Sequence, residues 1–281
     1  MPTILDAAPR LGPLYAKAAL GAVGSRGTTL PDTELAREDV TVDRDRLAEY
    51  ARVCGFPVAD ALPVTYPHVL AFPLQVALMA QRSFPLPLPG LVHIRNVITT
   101  HRPIDAAEPL GVAVHAEGLR AHPKGAQVDL VAQVQAGGSM VWDARSTYLA
   151  RDATAPEGPA EAPEPSGVEG GAPAATWHVD AATGRRYAHV SGDVNPIHLH
   201  RWTAKAFGFP RAIAHGMWTA ARALAALQGR LPEAFTVDVA FGRPLLLPST
   251  VDLRTHRSAE GWAVEVSGKK GSHLKGALTP P

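Results

Sequence analysis

The chain has 281 residues, 46% of them hydrophobic, so it is long enough for one large or two medium domains with a buried core. Its net charge of +1 and its lack of a basic run argue against nucleic-acid binding, because a phosphate-tracking surface needs clustered Lys and Arg. Cys54 is the only cysteine, which excludes an intrachain disulfide and is typical of a reducing compartment. The sequence contains no signal-peptide pattern and no apolar run near the ~20 residues of a membrane span. We therefore expect a cytoplasmic protein with no membrane span and no nucleic-acid partner.

The first half of the chain predicts helices followed by strands. A short helix is expected around Leu14–Ala22, before a Gly-rich stretch, and a second over Asp43–Val53, where apolar residues recur at helical spacing. Val69–Arg82 is apolar on most sides but contains Pro73, which predicts a buried, broken helix. Alternating and β-branched runs then predict strands near Leu91–Thr100, Gly111–Leu119, Gln127–Gln135 and Ser139–Ala150.

Residues 152–175 consist mainly of Ala, Pro, Glu and Gly, with almost no large apolar side chain. Such a composition cannot bury a core and predicts a linker. We therefore expect an N-terminal domain over residues 1–151 and a C-terminal domain over 176–281. In the second domain, strands are expected at Thr176–Val179, Thr236–Phe241, Thr250–His256, Trp262–Ser267 and His273–Leu278.

The stretch from Tyr187 to Met217 contains the candidate chemistry. A helix is expected to end near Val190, because the Asn-Pro pair that follows disfavours further helix. The resulting tight loop can direct Asp193 and His198 at one point, as general acid–base catalysis requires. A second helix is expected from Met217 to Leu227, with Gly216 in its first turn, where free N–H groups and the helix dipole stabilise a developing negative charge.

The two halves of the sequence look like repeats. Tyr50–Gly55 aligns with Tyr187–Gly192, and the order helix, apolar helix and about four strands recurs. Continuing the alignment without gaps places Phe56 opposite Asp193 and Ala61 opposite His198. We therefore expect the first copy to have lost the acid and the imidazole and to act as scaffold.

The second half strongly resembles the MaoC-like family of (R)-specific enoyl-CoA hydratases and (3R)-hydroxyacyl-thioester dehydratases. The matching residues are Tyr187, Val190, Ser191-Gly192-Asp193, Asn195-Pro196-Ile197-His198, Ala204 and Ile213–Met217. The resemblance implies an α+β double hot-dog fold, in which each of two repeats wraps a bent antiparallel sheet round a central helix. It also implies a pseudo-dimeric chain, which could form a homodimer, with a decayed first half and a catalytic second half.

The resemblance implies a hydro-lyase of fatty-acid metabolism that hydrates trans-2-enoyl thioesters to (3R)-3-hydroxyacyl thioesters. Asp193 and His198 would share water activation and proton transfer, and the Gly216 N–H would stabilise the thioester oxygen. Asn195 would fix the loop, His215 would support the segment that holds Gly216, and Tyr187 and Ser191 would either line the pocket or pack the helix end. The sequence leaves open whether the acyl group is carried by coenzyme A or by an acyl-carrier protein.

The sequence is also compatible with two functions other than that of a hydro-lyase. A hot-dog acyl-thioesterase would cleave the thioester instead of hydrating the alkene, and a non-catalytic subunit would only bind acyl thioesters. The sequence predicts no cofactor. His198, His200 and His215 suggest a metal site, but no HExxH motif or Cys pair accompanies them, so we expect no metal.

Overall fold

The computed structural model describes residues 2–20, 27–158, 164–168 and 170–281. In the first half the elements are β1 (Thr3–Ile4), α1 (Leu11–Leu20), β2 (Leu35–Val40), α2 (Arg44–Cys54), α3 (Tyr66–Met79), β3 (Val92–Thr100), β4 (Leu110–His122), β5 (Gly125–Ala136) and β6 (Ser139–Arg151). In the second half they are β7 (Ala175–Val179), α4 (Thr183–Ser191), α5 (Pro196–Leu199), α6 (Arg201–Ala206), α7 (Gly216–Ala225), β8 (Phe235–Phe241), β9 (Ser249–Ser258), β10 (Gly261–Gly268) and β11 (Gly271–Thr279).

The strands of the described residues form one sheet in the order β1-β2-β4-β5-β6-β3-β8-β11-β10-β9-β7. Apart from the short edge strand β1, the two halves follow the same chain order from their outer edge to the centre. They meet where β3 pairs antiparallel with β8, from Arg95 opposite Ala240 to Thr100 opposite Phe235. A two-bond ion pair between Arg95 and Asp238 (2.9 and 2.6 Å) crosses this seam. The predicted α+β double hot-dog fold is therefore confirmed.

Each half packs one central helix against its part of the sheet. In α3, all residues except Leu70, Pro73 and Ala77, which lie on one narrow side, are buried, and α7 buries Met217–Ala221, Ala223 and Leu224. Because neither helix has a broad solvent-facing side, their sequences lack the polar stripe of a surface helix. One continuous apolar cluster joins both halves, with Trp142, Tyr50 and Tyr187 among its largest enclosed side chains.

The predicted break at Pro73 is wrong. The helix α3 is continuous from Tyr66 to Met79 with Pro73 inside it. An interior proline costs a helix about 3 kcal/mol through one lost hydrogen bond and a clash with the preceding turn. Pro73 lies on the one partly buried side of α3, and burial of the other sides outweighs that cost, because tertiary packing supplies most of the stability of a helix in a folded protein.

The other sequence predictions differ from the structure mainly at element ends. The helix predicted over Asp43–Val53 is α2, capped at its start by the Asp43 carboxylate, which accepts hydrogen bonds from the N–H groups of Asp45 (3.0 Å) and Arg46 (3.1 Å). The helix expected at Leu14–Ala22 begins earlier, at Leu11, and its predicted last two residues lie outside the described residues. The strand β2 and the short helices α5 and α6 were not predicted, because none of them has a clear apolar period.

The repeat is visible in the backbone. Both α2 and α4 end at a glycine in the left-handed conformation, Gly55 with φ +83° and Gly192 with φ +79°. The two helices pack side by side, and the ring centroids of Tyr50 and Tyr187 lie 6.1 Å apart. None of the helices in the described ranges has the length and apolar character needed to cross a membrane.

Candidate active site

The loop that follows α4 is held by its own side chains. Gly192 turns the chain, and the Ser191 hydroxyl then accepts the Asp193 N–H at 3.1 Å. The Asp193 carboxylate accepts the Asn195 N–H at 3.1 Å. The Asn195 side-chain oxygen accepts the Ile197 N–H at 3.3 Å and so caps α5. These short-range bonds are those that Ser, Asp and Asn favour in turns, and they fix where Asp193 points.

His198 lies on α5 with its ring buried. Its Nδ1 lies 2.9 Å from the carbonyl oxygen of Ile213. A carbonyl can only accept a hydrogen bond, so Nδ1 carries the proton and Nε2 keeps a lone pair. Burial lowers the pKa of His198, and the neighbouring Asp193 carboxylate partly offsets this shift. His198 is therefore a neutral imidazole with a basic nitrogen available.

His215 stacks on His198 and connects the Asp193 loop to the start of α7. The ring centroids of His198 and His215 lie 3.6 Å apart, with an angle of 25° between the planes. The Nε2 of His215 donates to the carbonyl oxygen of Asp193 at 3.0 Å, and the Tyr187 ring packs on its other side at 4.8 Å. Burial lowers the pKa of His215 well below its usual value, and the adjacent His198 lowers it further. His215 is thus positioned to hold the Asp193 loop against the start of α7.

Asp193 carries the carboxylate of the site. One of its oxygens, Oδ2, lies 3.8 Å from the Nε2 of His215, and the other, Oδ1, accepts the Tyr15 hydroxyl at 3.4 Å. Its side chain keeps 23% of its surface exposed. Burial raises the pKa of Asp193, whereas His198, the Asn195 N–H and the Tyr15 hydroxyl act in the opposite direction. A carboxyl group with a raised pKa can hold a proton closer to neutral pH than an ordinary aspartate.

Gly216 is the first residue of α7, with His215 as its N-cap. Its N–H belongs to the first turn, which has no partner within the helix and lies at the positive end of the helix dipole. A Cβ at this position would lie 2.9 Å from the Phe241 ring, so the helix start and the ring can approach this closely only at a glycine. The helix thus presents a donor that could bind a negatively charged oxygen.

These groups share a cavity of about 260 Å³. All seven candidate residues predicted from the sequence line it: Tyr187, Ser191, Asp193, Asn195, His198, His215 and Gly216. The first half of the chain supplies an apolar part of the wall, formed by Val69, Phe72, Met79, Leu88 and Leu91. The exposed cations Lys124, Arg151 and Arg243 also line it. The cavity is therefore built by both repeats, with the acid, the imidazole and the helix start in the second.

Sequence analysis missed two residues of the first half that bind the loop. Tyr15, on α1, donates to the Asp193 carboxylate, and burial raises the pKa of the Tyr15 phenol well above its usual value. Arg46, on α2, donates from Nε to the carbonyl oxygen of Val190 at 3.0 Å, at the end of α4. The two residues of these contacts are 178 and 144 positions apart in the sequence, so no local sequence pattern indicates them.

Asp193, His198 and His215 each offer a ligand atom, and these atoms lie within 4.8 Å of one another. His200, the third histidine weighed for a metal, instead caps α6 by accepting the Trp202 N–H. A metal binds an imidazole through a ring nitrogen that carries no proton. Nδ1 of His198 and Nε2 of His215 are already bound to backbone carbonyls. The arrangement suits proton transfer better than metal coordination.

Comparison with known proteins agrees with the resemblance of the motifs. Residues 168–274 match the family model described as MaoC like domain. The chain is 40% identical over 248 residues to a Mycobacterium tuberculosis protein named 3-hydroxyacyl-thioester dehydratase X, covering 88% of this chain and 89% of that protein. A crystal structure of HtdX from the same organism superposes with a TM-score of 0.79 at 37% identity, covering 88% of this chain and 100% of that one. A MaoC-like dehydratase from Phytophthora capsici shares the fold, with a TM-score of 0.75 at 20% identity over 92% of this chain and 98% of that one. The chain therefore belongs to the MaoC-like family.

Proposed function

We propose that this protein is a hydro-lyase that adds water reversibly to trans-2-enoyl thioesters and forms (3R)-3-hydroxyacyl thioesters. The observation that carries the proposal is one cavity lined by Asp193, by His198, whose Nδ1 is bound to a backbone carbonyl, and by Gly216 at the start of α7. The name of the mycobacterial relative, a 3-hydroxyacyl-thioester dehydratase, supports the same reaction class.

In the hydration direction, Nε2 of His198 takes a proton from water as the hydroxyl oxygen bonds to C3 of the substrate. Electron density moves from the double bond to the thioester oxygen, where the N–H of Gly216 stabilises the developing charge. Asp193, whose raised pKa allows it to hold a proton, then delivers that proton to C2. A proton then passes from protonated His198 to the Asp193 carboxylate, which restores both groups for the next turnover. Dehydration reverses each step, so Asp193 removes the C2 proton and protonated His198 protonates the leaving hydroxyl.

The close approach of the two groups favours addition on one face of the substrate. A carboxylate oxygen of Asp193 and a ring nitrogen of His198 lie within 4.8 Å of each other, so one substrate can contact both side chains. We therefore propose that the proton and the hydroxyl add to the same face of the double bond.

Loss of enoyl absorbance tests the proposal directly. Crotonyl-CoA is mixed with the purified protein, and the product is resolved on a chiral column. We expect the absorbance to fall and (3R)-3-hydroxybutyryl-CoA to form. Release of free thiol would instead identify an acyl-thioesterase, and binding without turnover would identify a non-catalytic acyl-thioester-binding subunit.

We further propose that the first half, residues 1–151, is a scaffold that has lost the chemistry, and that residues 176–281 form the catalytic unit. Phe56 follows the α2 glycine where the second half has Asp193, and Thr65 caps α3 where His215 caps α7. The residues between the two units include 159–163 and 169, which lie outside the described ranges. On this view one chain contains a complete site, and a homodimer would not be needed for activity.

We propose a cytoplasmic location for the enzyme, in keeping with its single, buried free thiol. Its substrate partner is an acyl thioester of coenzyme A or of an acyl-carrier protein. Turnover of the same acyl chain on both carriers, compared through kcat/KM, separates these two partners. The carrier that the enzyme uses should give the higher value by at least about 10-fold, because carrier contacts add binding energy to the transition state.

A further inference from the structure

The part of the cavity formed by the first half contains an imidazole without a hydrogen-bond partner. His68 lies in the first turn of α3, lines the cavity and is only 5% exposed. Within the described ranges, neither of its ring nitrogens makes a hydrogen bond, and Nδ1 is fully enclosed. Nε2 is therefore the nitrogen left to meet whatever occupies the cavity. Buried polar groups are normally hydrogen-bonded, so a partner from within the cavity is expected.

The enclosed nitrogen determines which kind of partner His68 needs. A buried N–H without an acceptor is rarer in proteins than a buried acceptor without a donor. The proton of the neutral ring therefore belongs on Nε2, which makes His68 a donor toward the cavity. Burial lowers the pKa of His68 to about 4, so the ring is neutral at physiological pH. Its partner is then a hydrogen-bond acceptor, and that acceptor does not have to be negatively charged, because the ring carries no positive charge.

The neighbouring rings keep His68 in place. The ring of His93 stacks on that of His68 at 5.8 Å and on that of Tyr148 at 4.6 Å. Nε2 of His93 lies 3.3 Å from the side-chain amide of Asn96, and the Tyr148 hydroxyl donates to Gln75 at 3.1 Å. Because these partners already occupy His93 and Tyr148, His68 is the member of the stack with an unused donor.

The stack lines the same cavity as the candidate active site. The edge of His93 meets the Phe241 ring at 5.0 Å, and Phe241 is the ring that packs against Gly216. Val69, Phe72 and Met79, on the same helix as His68, give that part of the cavity apolar walls. A thioester with its carbonyl at Gly216 would therefore extend an acyl chain along α3 and past His68.

We propose that His68 donates a hydrogen bond from Nε2 to an oxygen atom on the acyl chain, and that the enzyme thereby selects acyl thioesters with a hydroxyl or carbonyl oxygen well beyond C3. This inference rests on the proposed hydro-lyase function. A purely hydrocarbon chain would leave the donor unpaired beside apolar carbon, which disfavours such a substrate.

The test compares trans-2-enoyl-CoA substrates of one chain length. One has a plain chain, and the others carry a hydroxyl or a keto group at successive carbons from the fifth onward. Each kcat/KM is divided by the value for crotonyl-CoA, whose acyl chain ends at C4 and carries no oxygen beyond the thioester. In the unaltered protein we expect one oxygenated position to exceed the plain chain by at least about 10-fold. The keto and hydroxyl arms show which oxygen is preferred.

Two variants assign the preference to His68. His68→Leu removes the donor, and the ratio of oxygenated to plain substrate should fall to about 1. His68→Gln retains an N–H near the same position and should keep part of the preference. If the unaltered protein favours no oxygenated chain, or if His68→Leu keeps the full preference, the proposal is wrong. If His68→Leu does not fold, the substrate panel on the unaltered protein and on His68→Gln still tests the proposal.

Failure of the proposed hydro-lyase function gives a different result. In that case crotonyl-CoA is not hydrated, and the comparison moves to equilibrium binding of the saturated acyl-CoA thioesters, which requires no turnover. A tighter dissociation constant for the oxygenated chain, lost in His68→Leu, supports the polar subsite. Equal dissociation constants for plain and oxygenated chains overturn it.

Discussion

At the scale of single residues, backbone carbonyls decide which nitrogen of each histidine can react. His198 uses Nδ1 to bind the Ile213 carbonyl and directs Nε2 elsewhere, whereas His215 uses Nε2 to bind the Asp193 carbonyl. The two stacked rings therefore have opposite roles. His198 keeps Nε2 unprotonated, as its proposed role requires, whereas His215 binds the backbone of the Asp193 loop.

The roles of Asp193 and His198 predict a large loss of turnover when either is neutralised. Asp193→Asn and His198→Gln should each lower kcat for crotonyl-CoA hydration by about 10²–10⁴-fold, because each removes one proton-transfer group. His189→Gln is the matched control, since His189 lies on α4 with its side chain 78% exposed. Circular dichroism should be the same for all three variants. A near-normal kcat in either site variant would contradict the assignment.

The hydrogen bond from Tyr15 to Asp193 predicts a change in pH dependence. That bond lowers the pKa of Asp193, against the larger effect of burial. Tyr15→Phe should therefore raise the pKa of Asp193 and move its limb in the pH profile of kcat/KM to higher pH. We expect kcat to fall only about 3–10-fold, as for the loss of one ordinary hydrogen bond of about 0.5–1.5 kcal/mol. An unchanged profile would show that Tyr15 is simply part of the wall.

At the scale of elements, the first half of the chain stabilises the loop of the second. The Arg46 guanidinium binds the carbonyl of Val190 in the last turn of α4, where a cation also suits the helix dipole. The same guanidinium approaches Gly192, since a Cβ there would lie 3.3 Å from one of its nitrogens. The start of the loop from Ser191 to His198 is thus held by a helix from the first repeat.

Removing this contact should reduce stability as well as activity. Arg46→Met should lower the free energy of unfolding by about 1–2 kcal/mol, because a charged donor to a part-buried carbonyl is lost. The exposed Arg52, on the same helix, supplies the control variant Arg52→Met, for which we expect a change within about 0.5 kcal/mol. Denaturant titration measures both. Equal stabilities for the two variants would show that Arg46 has no special role.

Contacts within one element or loop can be predicted from the sequence, whereas contacts between the two repeats cannot. The loop from Ser191 to His198 is predictable because its hydrogen bonds join residues two positions apart, so the order of Ser, Asp and Asn along the sequence indicates them. Tyr15 and Arg46 are not predictable, because their contacts depend on how two repeats pack. The continuous helix through Pro73 has no signal in the sequence, because a local preference is outweighed by burial that only the complete fold provides.

At the scale of the whole molecule, buried neutral histidines link stability to pH. Burial lowers the pKa values of His68, His93, His198 and His215 in the folded protein. The unfolded chain therefore binds more protons, and stability falls as the pH drops below the ordinary histidine value of ~6.5. Asp193 acts in the opposite direction, because its folded pKa is raised and its contribution is lost as the pH rises. Because four histidines act against one aspartate, we expect the net stability to fall as the pH drops.

His68 allows this linkage to be measured. With a folded pKa of about 4, it alone should cost about 2 kcal/mol of stability between pH ~8 and pH ~5. We expect the free energy of unfolding, measured with urea, to fall over this range in the unaltered protein. In His68→Leu the fall should be smaller by about that amount. A stability that is flat or rising toward pH ~5 would contradict the neutral, buried state of these rings.

The central claim is that Asp193 and His198 serve one face of a carbon–carbon double bond. The most direct test is hydration of crotonyl-CoA in deuterated water, with the configuration at C2 and C3 of the product determined by nuclear magnetic resonance. The account predicts a (3R)-hydroxyl and a deuteron added to the same face. Addition to opposite faces, or a (3S) product, would contradict it.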